Sequence, residues 1–339
     1  MNLRIPVAAL AVVVAIWTSG ADAPRAQART SAAAAVARPI AIPDGFPAWA
    51  YPWDPTFKAP PADNTLHRVP DSAQSFSFVD ARNLFLSPDW HPADHPRMPP
   101  VVAYGRRPKV RACGVCHRAE GTGGPENANI AGLPEAYIIQ QMAEFRSGAR
   151  RFSGPRRAPV VLMIDVARAT SDAEVRQAAA YFSSLKPRRT IRVIEAETIP
   201  ATFIAGNFHT YRHDGTTEPL GPRIVEVPVD QEQFELRDSR SQFRAYVPPG
   251  SLERGAAIVT RPREGTSITC ARCHGAGLRG TTQIPGIAGR SPSYLMRQLF
   301  DFKHGTRRGA NSPQMAATVA ALSPGDMLAV AAYLASLAP

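Results

Sequence analysis

Three patterns of apolar and polar residues divide the chain. The first is the apolar run Ile5 to Trp17, set behind the basic start Met1-Asn-Leu-Arg4 and ahead of small residues ending Ala26-Gln27-Ala28. This order predicts an export signal over residues 1–28, cut after Ala28, and the run is too short to span a bilayer comfortably. The second pattern is helical: Tyr137, Gln141, Phe145 and Gly148 follow at steps of four, four and three, and so do Tyr294, Gln298, Phe302 and Gly305. It predicts helices starting near Pro134 and Pro292. Two more helices of about fifteen residues are signalled by caps, through the capping box Ser171-Asp-Ala-Glu174 and through Ser323 with proline at the first helical position. The third pattern alternates, in Thr190-Ile-Arg-Val-Ile-Glu-Ala, and is followed by β-rich runs at Arg223-Ile-Val-Glu-Val-Pro and Phe243-Arg-Ala-Tyr-Val. These predict strands within a loop-rich insert. Before residue 109 the chain is proline-rich, as in Phe46-Pro-Ala-Trp-Ala-Tyr-Pro-Trp-Asp-Pro55. Such a stretch favours extended geometry wrapped over a folded surface, with tryptophans as anchors and a short helix over Phe78 to Leu86.

The helical pattern occurs twice because the chain repeats itself. Cys113 to Arg150 aligns with Cys270 to Arg307 without a gap, at an offset of 157. After a basic loop at Arg151 to Pro159, present only in the first copy, the alignment resumes with Met163 against Met315, Ser171 against Ser323 and Tyr181 against Tyr333. Each copy opens with Cys-x-x-Cys-His, at Cys113, Cys116, His117 and at Cys270, Cys273, His274, and these use every cysteine in the chain. The spacing reads as covalent attachment of two c-type haems, with two thiols for the vinyl groups and the histidine for the iron. A redox dithiol needs no histidine after each pair. A shared zinc is disfavoured by the 153 residues between Cys116 and Cys270, and disulfides leave the histidines unexplained.

A histidine-ligated haem can be a carrier, a gas binder or a peroxidase, and the second axial ligand chooses among them. Met163 and Met315 hold equivalent positions eight residues before the capping serines, in segments that read as irregular stretches reaching back over the porphyrin. Met142, Met296 and Met327 read as core residues on helices, and Met98 lies in the proline-rich arm. His91 and His95, flanked by prolines, read as packing residues; His209 and His213 read as parts of a solvated loop.

At 339 residues the chain has room for two or three domains, and its net charge is +11. A basic surface suits acidic proteins or anionic lipid, and no nucleic-acid-binding signature is present. Arg150-Arg151, Arg156-Arg157 and Arg307-Arg308 are candidates for steering acidic partners, against the alternative of a merely solvated basic surface.

On the stretches Ile284-Pro-Gly-Ile-Ala-Gly-Arg, Tyr294 to Gly305, Pro313-Gln-Met315 and Ala331 to Leu337, the second repeat resembles a class I cytochrome c domain. The first repeat is similar through Ile130-Ala-Gly-Leu-Pro and Tyr137 to Gly148, so the pair resembles the di-haem cytochrome c4 family. The resemblance implies a mainly α protein with two tandem domains, two His/Met-ligated haems, and periplasmic single-electron transfer to an oxidase or other redox partner. The expected boundaries are a signal over 1–28, an arm over 29–108, a first domain over 109–187, a β/loop insert over 188–250 and a second domain over 251–339. Cys113, Cys116, Cys270 and Cys273 are the expected attachment residues, with His117, Met163, His274 and Met315 on the irons. A long arm and a long insert depart from the family pattern. Two rival readings are a di-haem peroxidase-type enzyme with one open haem, and the electron-transfer subunit of a periplasmic dehydrogenase.

Overall fold

A computed structural model describes residues 42–154, 157–261 and 269–339. The export signal and Arg156 lie outside these residues. The arm is anchored at two places. A 3-10 turn at Ala48–Ala50 sets Ala50 and Tyr51 into the core of the second repeat, where the Ala50 carbonyl accepts from Arg297 at 2.9 Å. Further on, helix α1 (Phe78–Arg82) begins at a Ser77–Asp80 capping box and ends sooner than the expected Leu86, at Asn83. Trp90 is fully buried, edge-on to Phe76, and donates from Nε1 to the Leu236 carbonyl at 2.7 Å. Trp53, by contrast, stays 42% exposed, so only some of the tryptophans are anchors. The arm also meets the first repeat, where the Leu84 carbonyl accepts from Ala112 N at 2.9 Å, and so ties the second repeat, the insert and the first repeat together.

The first repeat runs through α3 (Cys113–His117), α4 (Glu135–Ser147), α5 (Ala158–Ala169) and α6 (Asp172–Ser184), and α2 (Pro100–Ala103), inside the expected arm, joins its core through Val101 and Val102. Helix α4 stops because Gly148 takes a left-handed conformation at φ 77°, and α6 starts at the Ser171–Glu174 capping box. The expected irregular stretch at Met163 is instead the middle of α5. Its Pro159 sits in the first turn, where a missing N–H costs nothing and the fixed φ favours helix.

The insert carries β1 (Ile191–Glu195), β2 (Thr198–Pro200), β3 (Thr202–Ala205), β4 (Phe208–Tyr211), β5 (Thr217–Pro219), β6 (Val225–Pro228), α7 (Gln231–Glu235) and β7 (Phe243–Val247). Strand β7 is central, pairing parallel with β1 (Ile191 with Phe243) and antiparallel with β6 (Val225 with Tyr246). β3 with β4 and β2 with β5 form separate antiparallel pairs. His209, expected in a loop, lies on β4 opposite Ile204, while His213 is beyond the strand. On the central strand β7, Phe243, Ala245, Tyr246 and Val247 are all buried.

The second repeat comprises α8 (Ser251–Thr260), α9 (Cys270–His274), α10 (Pro292–Lys303), α11 (Ser312–Val319) and α12 (Pro324–Ser336). Met315, like Met163, lies on a helix opened by a first-turn proline, Pro313, and not in an irregular stretch. α12 starts at a Ser323–Asp326 capping box and crosses α8 closely. At the crossing a Cβ on Gly255 would sit 2.0 Å from the Ala329 carbonyl oxygen, so only glycine fits. Met296, Phe300 and Met327 are fully buried in this core, each contributing about 1.5–3 kcal/mol of burial.

The repeats meet at the ends of α4 and α10, about a pseudo-two-fold relation. Arg151 N donates to the Thr306 carbonyl at 2.8 Å, and Arg308 N donates to the Ala149 carbonyl at 2.9 Å. These four residues interchange under the offset of 157 found in the sequence.

Candidate cofactor sites

In each repeat the residues singled out by the sequence converge on one cavity. Cys113, Cys116 and His117 from α3 line the first together with Met163 from α5, and Ile130, Leu133, Ile138 and Phe182 complete apolar walls. Cys270, Cys273 and His274 from α9 line the second with Met315 from α11, among Ile258, Leu295, Leu299 and Val319. The two cysteine pairs serve different cavities, which leaves no place for a single four-sulfur zinc site.

The histidines are oriented identically. His117 Nδ1 donates to the Ala128 carbonyl at 2.8 Å, and His274 Nδ1 donates to the Pro285 carbonyl at 2.8 Å. Ala128 and Pro285 are equivalent under the repeat, yet differ in type, so a backbone acceptor is invisible to residue matching. A proton fixed on Nδ1 leaves the Nε2 lone pair for a metal. Burial pulls both imidazole pKa values down, only partly opposed by these hydrogen bonds, and the neutral ring is the ligating form. Burial, with Cys116 beside it, pushes the Cys113 thiol up to about 12. Such a thiol is a poor redox nucleophile.

Met142 also lines the first cavity, although its helical position reads as core. The repeat separates it from Met163: the counterpart of Met142 is Leu299, a wall residue without a donor atom, whereas the counterpart of Met163 is Met315. Met296 and Met327 are core residues, as their positions imply, and Met98 packs against the core of the first repeat. His91 bonds Asp238 at 3.1 Å and His95 bonds Asp89 at 3.0 Å, so both are held structurally.

The ends of the cavities that face each other are polar. Tyr137, Gln141, Tyr294 and Gln298 line both cavities. Arg150 donates to Gln141 at 2.7 Å, to the Tyr294 hydroxyl at 2.7 Å and to Gln298 at 3.0 Å. Arg307 answers with bonds to Gln298 at 2.9 Å, to the Tyr137 hydroxyl at 2.8 Å and to Gln141 at 2.9 Å. Arg157 is likewise buried, donating to the Pro52 carbonyl at 3.0 Å and the Asn207 carbonyl at 2.8 Å. Arg150, Arg157 and Arg307 therefore do not steer partners from the surface, as their basic runs suggest; they are 7%, 1% and 6% exposed. Among the described members of the named pairs, Arg151 and Arg308 are exposed.

Burial raises the Tyr294 hydroxyl, but the facing Arg150 and Arg307 guanidiniums outweigh it and lower its pKa. Burial drags Arg157 down to about 9 and Arg290, on the second cavity, to about 10. The Nε atoms of Arg290 and Arg307 are buried without a partner. A buried N–H left without a partner is costly, and an anion brought beside these guanidiniums would offset that cost. An apolar slot with a sulfur pair and imidazole on one wall, a thioether on another and guanidiniums at the rim fits a haem, whose carboxylates would meet the arginines.

The cytochrome c family model matches residues 102–186 and 252–338. A curated relative, the thiosulfate dehydrogenase electron acceptor of Thiomonas intermedia, is 27% identical over 232 residues, covering 68% of this chain and 80% of its own. The cytochrome c4 of Azotobacter vinelandii is 24% identical over 237 residues, covering 68% and 86%. The crystal structure of reduced cytochrome c4 from Pseudomonas stutzeri is 22% identical, with a TM-score of 0.44, covering 68% of this chain and 95% of that one.

Proposed function

The chain belongs to the cytochrome c family through both of its repeats, and we propose that His117 with Met163, and His274 with Met315, are the axial pairs of its two covalently held haems. Cys113, Cys116, Cys270 and Cys273 form the thioether links. The protein is a di-haem electron-transfer cytochrome of the c4 type, not an enzyme. When bound, haem supplies a one-electron iron couple whose potential is set by axial ligation, hydrogen bonding and burial.

The residues of the chain hold and tune that couple. Each histidine is locked in one tautomer by its carbonyl, each methionine offers a soft thioether that favours the reduced metal, and apolar walls exclude water. Arg150 and Arg307, supported by Gln141 and Gln298, would offer positive charge to the carboxylates of a bound haem. The observation that carries this reading is the repetition of one arrangement: a cysteine pair, a carbonyl-fixed imidazole and a thioether lining a single apolar cavity, twice.

A periplasmic location is our inference, supported by the export signal expected over residues 1–28 and by the likeness to cytochrome c4. Its partners are redox proteins. The names of two relatives, both thiosulfate dehydrogenase electron acceptors, favour a dehydrogenase as donor. A di-haem peroxidase would need one iron with an open side, and a methionine lines each cavity.

Near-infrared absorption of the oxidised holoprotein tests the ligation. Two methionine-to-iron charge-transfer bands of equal weight are expected. A high-spin component that binds cyanide rapidly contradicts it.

A further inference from the structure

The two attachment segments, equivalent in sequence, meet different surroundings. In the first, Gly114, Val115, Arg118, Ala119, Glu120, Thr122 and Gly124 are all buried. Their counterparts in the second are, in the same order, Ala271, Arg272, Gly275, Ala276, Gly277, Arg279 and Thr281, and all but the half-buried Gly275 are exposed. Cys273 is exposed too.

The cover on the first segment comes from the arm and the insert. Ser239 accepts from Glu120 N at 3.1 Å through its hydroxyl, and its carbonyl accepts from the Thr122 hydroxyl at 3.0 Å. Arg118 donates to the Phe234 carbonyl at 3.2 Å and stacks on the Phe234 ring at 4.8 Å. A Cβ on Gly114 would lie 2.3 Å from the Ser87 hydroxyl, and one on Gly124 would lie 3.1 Å from the Phe234 ring. The second segment is bonded to itself among the described residues, through Gly280 N to His274 O at 2.7 Å and Thr281 N to Ile284 O at 2.9 Å. Between Thr269 and Arg290 there is no acidic residue.

We propose that the exposed rim Ala271 to Gln283, with Arg272 and Arg279, is the docking face for an acidic single-electron redox protein, and that the equivalent face of the first repeat is closed by the arm and insert. This rests on the reading of two attached haems. Each exchange moves one electron, the donor being oxidised as one iron of the chain is reduced, with no bond formed or broken. Shape selects the rim, because a protein surface cannot reach the first attachment segment under Phe234 and Ser239. Charge selects the partner, because an acidic face gains most beside Arg272 and Arg279, which have no ion-pair partner among the described residues.

The test uses the reduced, diamagnetic holoprotein and hexacyanochromate(III), a redox-inert paramagnetic trianion that stands in for an acidic face. Amide signals of residues 271–283 should broaden, those of 114–125 should not, and Arg272→Glu with Arg279→Glu should abolish the broadening. The same double variant should slow oxidation by ferricyanide about tenfold at low salt, whereas Arg168→Glu on α5 should change it less than twofold. Broadening centred on 114–125, broadening spread evenly over the basic surface, or an unchanged rate in the double variant would overturn the docking face. The wild-type spectrum separates the two readings: two low-spin haems with any of those outcomes sinks only the docking face, and their absence sinks the function itself.

Discussion

The two repeats are alike inside and unlike outside. Both place cysteine pair, histidine and methionine around one cavity, and both fix the imidazole to a carbonyl eleven residues on. Outside, the first repeat has only the four-residue α2 at its start and borrows cover from Ser87, Phe234 and Ser239, while the second has the ten-residue α8 packed on α12. Chemistry at the metal constrains the interior, and the surface was free to diverge. The arm and insert, the parts with no counterpart in the other repeat, are where that divergence was built.

The comparison can be broken first at the junction. Arg150→Ala and Arg307→Ala each strand the same kinds of partner, so each should cost about 3 kcal/mol. The two losses should be nearly equal, and the double variant should lose less than their sum. Chemical denaturation of the holoprotein measures this; a loss confined to one variant would contradict the two-fold relation. Next, Gly255→Ala should cost about 1–3 kcal/mol by forcing α8 away from Ala329, and the haem signal of the second repeat should melt before that of the first. Smaller and matched, Ser171→Ala and Ser323→Ala should each cost about 1 kcal/mol, read from thermal unfolding.

The smallest effect is one of pH. The Arg106 guanidinium, with Ser171, holds Glu174 at about 2. Because the folded pKa lies below the unfolded value of about 4.3, its stabilisation is present above that value and fades as the pH falls toward 2. Asp326 is lowered by Ser323 and Arg254 despite the opposing effect of its partial burial, so it works in the same direction. Glu174→Gln should flatten the acid limb of the stability curve in the first repeat and leave the second unchanged.

Much of the interior was legible in the sequence because it is periodic. The steps from Tyr137 to Gly148 and from Tyr294 to Gly305 announce α4 and α10, and the capping serines announce α6 and α12. The segments of Met163 and Met315 are helical and not irregular because Pro159 and Pro313 sit in the first turn, where proline starts a helix. The arginines were misread for a different reason. A basic run is usually solvated, and nothing local distinguishes Arg150 from its exposed neighbour Arg151; the difference is a contact with Tyr294, 144 residues away. The cover over the first attachment segment was hidden likewise, since Phe234 and Ser239 reach Arg118 and Glu120 only through the fold. The carbonyls of Ala128 and Pro285 escaped notice because any residue can supply a backbone acceptor.

The central claim is that each cavity holds an iron between its histidine and its methionine, and a redox titration of the holoprotein beside Met163→Ala and Met315→Ala tests it most directly. Each variant should lower one of two one-electron potentials, by on the order of 0.1 V within the ~0.8 V range that axial ligands span, and leave the other nearly in place, with a different wave moving in each. If Met163→Ala left both potentials and the spectrum untouched, the ligand assigned to the first repeat would be wrong.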